Sequence, residues 1–373
     1  MADRYWVGGT DTWDATAGTK WALTSGGAGG QAVPTNADDV FFDSVSGTVV
    51  VTLSTASTWR NINCTGFTGE LSHPTSTNIT FGDGSGGSLT FVSTMTYTTA
   101  STSSALTFAS TTTGNTITSG GKTFGNVTFS GTGGGWVLAD SFSSGFAGAS
   151  LTHTRGTLDN SGGFTMSWGV FSSSNSNTRA FDMTGTSFNL ANNSGVAWQL
   201  TTSTNMTLTT TGSTISMTST SANGKTFAGG GLTYNNLTIS AGGSGAITIT
   251  GSNTIPTFTV NAPKTLTITA GTTQTITTLV ETASQGNTIT LNSSSAGSAG
   301  TLSKSSGTVT VNYWIIQDST ATGGATWKAN NSTNVSGNSG WVFSSAGSGR
   351  FGAGGFGVGK FGFSRFGKRA FTA

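Results

Sequence analysis

Short alternations of threonine with a hydrophobic residue fill the chain from about residue 78 to 311, and this feature constrains the fold most. Examples are LTI at 237–239, ITI at 247–249 and LTI at 266–268. Alternate residues of a β-strand point to opposite faces, so the pattern predicts short, half-buried strands. In the clearest stretch the central threonines recur about every ten or eleven residues, and such even spacing is typical of a solenoid.

The low charge of the chain would also suit a disordered polymer, but its hydrophobic pattern does not. Charged residues make up only 8% of the sequence, whereas 23 phenylalanines and many Val, Ile and Leu residues are present. Disordered chains are poor in aromatic and β-branched residues, so we expect a folded protein. Sustained helical spacing of apolar residues is missing, and Gly, Thr, Asn and Ser are poor helix formers, so helices are nearly excluded.

One longer motif occurs twice and indicates a reused coil. GKTF at 121–124 leads into NVTFSG at 126–131, and GKTF at 224–227 leads into NLTIS at 236–240 after a longer turn. Repeating coils with turns of variable length are typical of a parallel β-helix. The predicted fold is therefore all-β, a right-handed parallel β-helix with about 20 to 30 residues per coil. Tandem antiparallel β-sandwich modules remain the alternative.

The two ends of the predicted solenoid are rich in tryptophan. Residues 1–43 hold Trp6, Trp13 and Trp21 together with six carboxylates. Residues 312–345 hold three more tryptophans, so six of the ten lie near the ends. The open ends of a solenoid need large apolar groups inside and polar groups outside. We therefore predict an N-terminal cap at 1–43, a β-helix body at 44–311, and C-terminal coils with a cap at 312–345.

The last segment, 346–373, differs abruptly in composition. From residue 347 it carries five basic residues and no acid, so the near-neutral net charge of +2 hides two oppositely charged parts. Phenylalanines recur every five residues in this segment, at positions 351, 356, 361, 366 and 371. This spacing matches neither the period of a helix nor that of a strand, so the rings cannot share one face of a regular element. We predict an extended Phe-Gly/basic arm that docks into a neighbouring subunit. Its predicted anchor residues are Arg350, Phe351, Phe356, Lys360, Phe361, Arg365, Phe366, Lys368, Arg369 and Phe371.

Two other interpretations of the arm stay open. It can be a solvated basic tail, since chain termini are commonly disordered. It can also contact nucleic acid, because aromatic rings between basic residues suit base stacking and phosphate contact. Five charges are few for that task, so nucleic acid is the less favoured partner.

The sequences at the two ends resemble a known group of proteins. RYWVGGTDTWDATAGTKW at 4–21 and GGAGGQAVPTNADDVFFD at 26–43 are similar to the opening of β-helical proteins of tailed bacteriophages and prophages. Related openings occur in large autotransporter-like bacterial surface proteins. VNYWIIQDSTATGGATWKANNSTNVSGNSGWVF at 311–343 resembles the closing coils of the same group. The resemblance covers about 75 residues and implies a virion structural protein on the tail or head surface, although a fold does not fix a function.

The functional prediction combines the resemblance with the composition. We predict a non-enzymatic phage virion protein, a tail fibre, spike or head decoration, that contacts other virion proteins and host surface glycan. A homo-oligomer is expected, and the resemblance favours a trimer. The N-terminus lacks the apolar region of a signal peptide and no segment is apolar enough to cross a bilayer, so we expect assembly in the host cytoplasm and no membrane partner. The alternatives are a polysaccharide-depolymerising tailspike and a secreted β-helix adhesin.

Candidate chemical groups are sparse along the chain. A glycosidase needs two carboxylates in one groove. The candidate pairs are Asp140 with Asp159 and Asp159 with Asp182, because each pair is separated by about the length of one coil. Formation of turns is the favoured role for these aspartates. His73 and His153 have no Cys or acidic residue nearby at the spacing of a metal site. Asp83 lies in a Gly-rich segment that predicts a tight turn. The acidic residues at 38–43 could bind a cation, but a capping loop explains them as well.

Surface tryptophans on a β-face can stack on sugars. Trp136, Trp168 and Trp198 occur at intervals of about 30 residues and are the predicted glycan-binding candidates, with burial in the core as the favoured alternative. The single cysteine, Cys64, excludes an intrachain disulfide, and we expect it to be a small buried residue. No cofactor and no metal site is predicted.

Overall fold

The described residues are entirely β-structure. The computed structural model describes residues 2–13, 19–240 and 242–344, and these residues form 39 strands and no α-helix. Most strands have three to five residues, as the short alternations predict. The all-β prediction is therefore confirmed for this part of the chain. The predicted arm at 346–373 lies outside the described residues.

The strands follow one another at short intervals along the whole described chain. The first are β1 Asp3–Trp6, β2 Asp11–Thr12, β3 Trp21–Ala22, β4 Asp39–Phe41, β5 Val50–Thr52, β6 Ile62–Asn63, β7 Glu70–His73, β8 Asn78–Phe81, β9 Leu89–Thr90, β10 Thr96–Thr99, β11 Ala105–Phe108, β12 Asn115–Thr118 and β13 Thr123–Phe124. The next are β14 Val127–Phe129, β15 Gly135–Leu138, β16 Phe142–Ser144, β17 Ser150–His153, β18 Gly156–Asp159, β19 Met166–Trp168, β20 Val170–Ser172, β21 Arg179–Asp182, β22 Ser187–Leu190, β23 Gly195–Gln199, β24 Met206–Thr209, β25 Thr214–Met217 and β26 Lys225–Ala228. The last are β27 Asn236–Ile239, β28 Ile247–Thr250, β29 Thr254–Val260, β30 Lys264–Ile268, β31 Thr273–Glu281, β32 Ile289–Ser293, β33 Gly300–Ser303, β34 Thr308–Asn312, β35 Trp314–Gln317, β36 Ser319–Thr322, β37 Thr326–Asn330, β38 Thr333–Ser336 and β39 Trp341–Ser344.

Five sheets collect these strands, and three of them are long. Sheet A has the order β24-β21-β18-β15-β12-β9-β6-β4-β1-β3, and sheet B has the order β10-β7-β5-β2. Sheet C has the order β38-β35-β32-β30-β28-β26-β23-β20-β17-β14-β11-β8. Sheet D has the order β13-β16-β19-β22-β25-β27-β29-β31-β33-β36, and sheet E is β34-β37-β39.

Neighbouring strands in these sheets are parallel and come from successive stretches of chain. Leu151 pairs with Phe171, and Trp198 pairs with Phe227, so paired positions are about 20 to 30 residues apart. Among the strand pairs of the described residues, only β1 with β3 is antiparallel. Long parallel sheets of this kind are compatible with the predicted solenoid, whereas β-sandwiches are built from antiparallel strands.

The pairing register keeps one residue type on each side of a sheet. In five successive strands of sheet C, one inward row is apolar and buried, and the residue after each member of that row bears a hydroxyl and is less buried. A shift of one residue would exchange the two faces, so burial of the apolar set fixes the register. The inward row is Ile79, Leu106, Val127, Leu151 and Phe171, and the outward row is Thr80, Thr107, Thr128, Thr152 and Ser172.

Aromatic rings pack against one another from strand to strand along sheet C. The ring centroids of Phe81 and Phe108 are 4.5 Å apart, and those of Phe108 and Phe129 are 4.8 Å apart. These distances match the spacing of about 4.8 Å between strands, so equivalent side chains of adjacent strands are brought into ring contact. The core therefore continues along the sheets and is not divided into separate clusters.

The N-terminal tryptophans lie at one end of sheet A. Strand β1 pairs with β4 in parallel, and β3 covers the outer edge of β1 with Trp21 opposite Trp6. The centroid of Trp21 is 4.7 Å from that of Trp13 and 5.1 Å from that of Trp6, and all three rings are buried. Strands β1, β3 and β4 thus form this end of sheet A, while β2 belongs to sheet B, and the three indole rings pack together in the core.

The sheets do not all run the full length of the described chain. Sheet A stops at β24, and from β25 to β33 the chain alternates between sheets D and C alone. Sheet E then supplies a further face from β34 onward. The predicted boundary between 311 and 312 falls inside β34, and Trp327 packs on Trp341 at 5.2 Å near the end of the described residues.

Replacement of Trp21 by alanine tests the role of the N-terminal rings. We expect Trp21→Ala to lower the free energy of unfolding by about 3 to 5 kcal/mol, because a buried indole is replaced by a cavity between Trp6 and Trp13. Trp21→Phe should cost less, since ring packing is kept and the indole N–H, which has no partner, is removed. Urea unfolding followed by fluorescence measures both changes.

Leu23 supplies a matched control for that experiment. Its side chain lies two residues further along and is 51% exposed, so Leu23→Ala should change the free energy of unfolding by less than about 0.5 kcal/mol. Equal losses for the two alanine variants would contradict a structural role for the buried ring.

Candidate functional site

The predicted virion anchor cannot be placed in the fold. All ten of its residues, from Arg350 to Phe371, lie outside the described residues. The described chain ends with β39 in sheet E, where Trp341 is buried and Val342 is exposed. In the sequence, Arg350 comes six positions after Ser344, the last residue of β39.

The three tryptophans proposed to stack on sugars lie in the core. Trp136, Trp168 and Trp198 are 1%, 1% and 0% exposed, respectively. The indole N–H groups of Trp136 and Trp168 donate hydrogen bonds to the carbonyls of Gly87 (3.1 Å) and Phe142 (2.9 Å). A sugar ring cannot reach these indole faces, so the three tryptophans are core residues and do not form a sugar-stacking surface.

The carboxylates considered for glycoside cleavage serve turns. Asp140 accepts hydrogen bonds from the amides of two residues in the turn after β12, and it does not stand in register with Asp159. Asp159 and Asp182 are register partners on β18 and β21. Asp159 accepts the amide of Ser161 (2.8 Å), and Asp182 accepts the amide of Thr184 (2.9 Å). Each carboxylate thus forms the local bond typical of a turn-forming aspartate.

The Gly-rich segment around Asp83 is a tight turn. One carboxylate oxygen of Asp83 accepts the amide and the hydroxyl of Ser85 at 2.7 and 2.8 Å, and the amide of Gly86 at 3.1 Å. Its hydrogen-bonding capacity is directed into its own turn, as the sequence predicts.

The acidic spot near the N-terminus is divided among three different partners. Asp38 accepts hydrogen bonds from Thr35 and from the amide of Ala2. Burial acts to raise the pKa of Asp38, but these hydrogen bonds outweigh it and hold the pKa below its ordinary value. Asp39 pairs with the guanidinium of Arg60, and Asp43 caps the turn at Val45 and Ser46. The arrangement is that of a capping loop.

Two polar groups predicted to be unsuited to chemistry are buried in the core. The His73 ring lies between the Tyr97 hydroxyl (2.7 Å from Nδ1) and the Thr77 carbonyl (2.8 Å from Nε2). Burial lowers the pKa of His73, which favours the neutral ring. Cys64 is fully buried and free, and burial raises the pKa of its thiol, so it is an inert core residue as expected.

His153 is the second buried histidine and has one unsatisfied nitrogen. Its Nε2 lies 3.1 Å from the carbonyl oxygen of Gly156 and therefore donates a hydrogen bond to it, while Nδ1 is buried without a partner. Burial, with the Arg179 charge as a smaller contribution, lowers the pKa of His153 to about 4. The ring is therefore neutral at physiological pH.

A groove that the sequence did not predict runs along the outer surface of sheet A. It has a volume of about 450 Å³ and is bordered by the turns that precede β15, β18 and β21, together with residues of β18, β21 and β24. Its lining residues are Thr132, Gly133, Gly134, Arg155, Gly156, Thr157, Ser176, Asn177, Thr178, Arg179, Ala180 and Thr207. Arginine next to glycine at 155–156 is visible in the sequence, but nothing there shows that turns far apart in the chain meet beside it.

Arg179 forms the inner wall of this groove and is held entirely by backbone and hydroxyl oxygens. It is only 2% exposed, and its guanidinium donates to the carbonyls of Ser173, Asn177, Thr202 and Thr204. Burial lowers the pKa of Arg179, yet an arginine side chain stays protonated in proteins. The charge is therefore not neutralised by a carboxylate contact within the described chain.

Comparison with models of known families, with curated proteins and with solved structures gave no match. Within residues 2–13, 19–240 and 242–344, no three His, Cys, Asp or Glu side chains come together to hold a metal ion. The same residues contain no helix that could span a membrane.

The buried histidines make stability depend on pH. The unfolded chain binds a proton at His153 near pH 6.5, whereas the folded chain binds it only near pH 4. The free energy of unfolding should therefore be highest above pH 6.5 and fall as the pH drops toward 4, by about 3 kcal/mol for this residue. Urea unfolding at a series of pH values measures the slope.

His153→Phe is the matched variant for this slope. The ring fits beside Phe129 and Phe181, which already contact the histidine, and it cannot titrate. We expect lower stability at neutral pH, because the Gly156 carbonyl loses its donor, but a shallower dependence between pH 6.5 and 4. An unchanged slope would assign the effect to other groups.

Proposed function

We propose that this chain is a non-enzymatic structural protein of a tailed-bacteriophage virion, a tail fibre, spike or head decoration. Its body is a right-handed parallel β-helix closed by tryptophan-rich caps, and its C-terminal arm anchors it to other virion proteins. The protein assembles in the host cytoplasm as a homo-oligomer, with a trimer favoured, and the body contacts host surface glycan.

The observation that carries this proposal is the continuous in-register stacking of the strands. Apolar and aromatic side chains stack through the body, while the outer faces carry hydroxyl groups and few charges. The carboxylates at 83, 140, 159 and 182 are bonded to the amides of turns, as in a passive scaffold. The virion assignment itself rests on the resemblance of the two ends of the chain to phage β-helical proteins.

A second candidate function is depolymerisation of host polysaccharide. It is favoured by the register of Asp159 with Asp182, since adjacent strands about 4.8 Å apart bring two carboxylates near the separation of about 5 to 5.5 Å used by retaining glycosidases. Against it, both groups bond to their own turns.

Removal of the arm tests the anchoring role. We expect a chain lacking residues 347–373 to fold and stay soluble, because every strand of the described residues is kept, but to be missing from assembled particles. Particle purification followed by quantification of the protein measures incorporation. Replacement of Phe351 and Phe356 by alanine in the full chain should reduce incorporation by the same route, and normal incorporation of the truncated chain would refute the anchor.

Incubation with host capsule or lipopolysaccharide separates the two candidate functions. A non-enzymatic protein releases no oligosaccharide, and Asp159→Asn and Asp182→Asn should leave that result unchanged. Chromatography of the soluble products measures release. Turnover by the wild-type protein that Asp159→Asn abolishes would replace the scaffold proposal by the depolymerase.

A further inference from the structure

The outer face of sheet A between β18 and β24 carries an ordered polar array beside the groove. The outward residues of β18 are Thr157 and Asp159, and exposed Arg155 comes just before the strand. The pairing register places Ala180 and Asp182 of β21 next to Thr157 and Asp159. Thr207 and Thr209 of β24 continue the same rows. Successive outward residues are about 6.6 Å apart, so the array runs from a cation at one side to carboxylates at the other.

Arg155 supplies a cation with unused hydrogen-bonding capacity. Its side chain is exposed, and its Nη1 donates to the hydroxyl of Thr132 at 2.8 Å. A guanidinium has five N–H donors, and the other four meet no acceptor within the described residues. Arg155 and Thr132 both line the groove, so this bond places the guanidinium beside it.

The centre of the array is hollow because its residues are small. Thr157, Ala180 and Thr207 are register partners on three adjacent strands, and the alanine in the middle has the smallest side chain of the three, which leaves a depression in the surface. Gly156 has a φ of 80°, and a Cβ there would lie 2.5 Å from the carbonyl of Gly134. This conformation favours glycine and leaves the floor beside Arg155 flat.

The far side of the hollow offers acceptors. Asp159 and Asp182 lie two residues beyond Thr157 and Ala180 on the same face, and each uses one named oxygen for its own turn. A carboxylate has about four lone-pair sites, so each retains acceptor capacity toward the hollow. A ligand that meets a cation on one side and carboxylates on the other needs an acid group and hydroxyl groups.

We propose that this groove binds an acidic sugar unit of a surface polysaccharide, with the sugar carboxylate at Arg155 and ring hydroxyls toward Asp159 and Asp182. This inference rests on the proposed contact with host glycan and names the class of glycan. Nucleic acid fits the groove less well, because one exposed cation and no exposed aromatic ring offer little to phosphates and bases. Buried Arg179 adds positive potential behind the site without taking part in the contact.

Binding of polygalacturonate by the full-length protein tests the proposal, with dextran as the neutral polymer. We expect Arg155→Gln to weaken polygalacturonate binding about tenfold or more, because a charge-assisted hydrogen bond is lost. Arg155→Lys keeps the positive charge but loses the planar guanidinium, so its affinity for polygalacturonate should lie between those of the wild type and Arg155→Gln. Lys328→Gln, an exposed cation on β37, is the matched control and should bind as the wild type does. Isothermal titration calorimetry measures affinity, and thermal unfolding checks that each variant is folded.

The remaining outcomes each overturn the proposal. Equal losses for Arg155→Gln and Lys328→Gln would show a diffuse charge effect, and no binding of polygalacturonate by the wild type would exclude an acidic sugar. Arg155-dependent binding of single-stranded DNA in place of polygalacturonate would assign the groove to nucleic acid. Particle incorporation of the protein is measured separately, so the virion role stands or falls on its own result.

Discussion

Hydrogen bonding between the backbones of neighbouring parallel strands is the constraint on which the rest of this structure depends. It places each residue beside a residue about 20 to 30 positions away in the sequence, so a side chain that suits one strand must also suit the neighbouring strands. Apolar residues then stack on apolar residues, as Leu106 does on Val127, and hydroxyls stack on hydroxyls. Register, burial and surface chemistry therefore follow from one repeated bond pattern.

A chain with few charges still places several cations inside, and backbone carbonyls surround them. Lys225 donates to the Ser221 carbonyl at 2.6 Å, and Lys264 donates to the Gly242 carbonyl at 2.7 Å. Burial lowers the pKa of both lysines, as it does for Arg179. Turn carbonyls at the ends of strands have no partner in a sheet, so these side chains satisfy acceptors that would otherwise be buried without a donor.

The alternation of residues predicts the strands and their buried faces, because both depend only on local spacing. LTI at 237–239 is a strand with both apolar residues buried, and the three N-terminal tryptophans are buried as well. The spacing of Asp159 and Asp182 indicates that they can be neighbours, and they are, whereas Asp140 and Asp159 were equally allowed by spacing and are not in register. The groove at Arg155 was not predictable, since it depends on turn lengths that bring distant turns together. The end of sheet A at β24 has no sequence signal that we can identify.

One apolar row in sheet C consists of Ile247, Leu266, Leu291 and Ile316. Such a row has a consequence for how this chain can evolve. If the residues between two members of the row are deleted, the strands on either side become neighbours. The apolar residues still pair with apolar residues, because every member of the row is apolar. Genes for chains of this design can therefore gain or lose whole coils by recombination, and natural selection can adjust the length of the protein while its two ends stay unchanged.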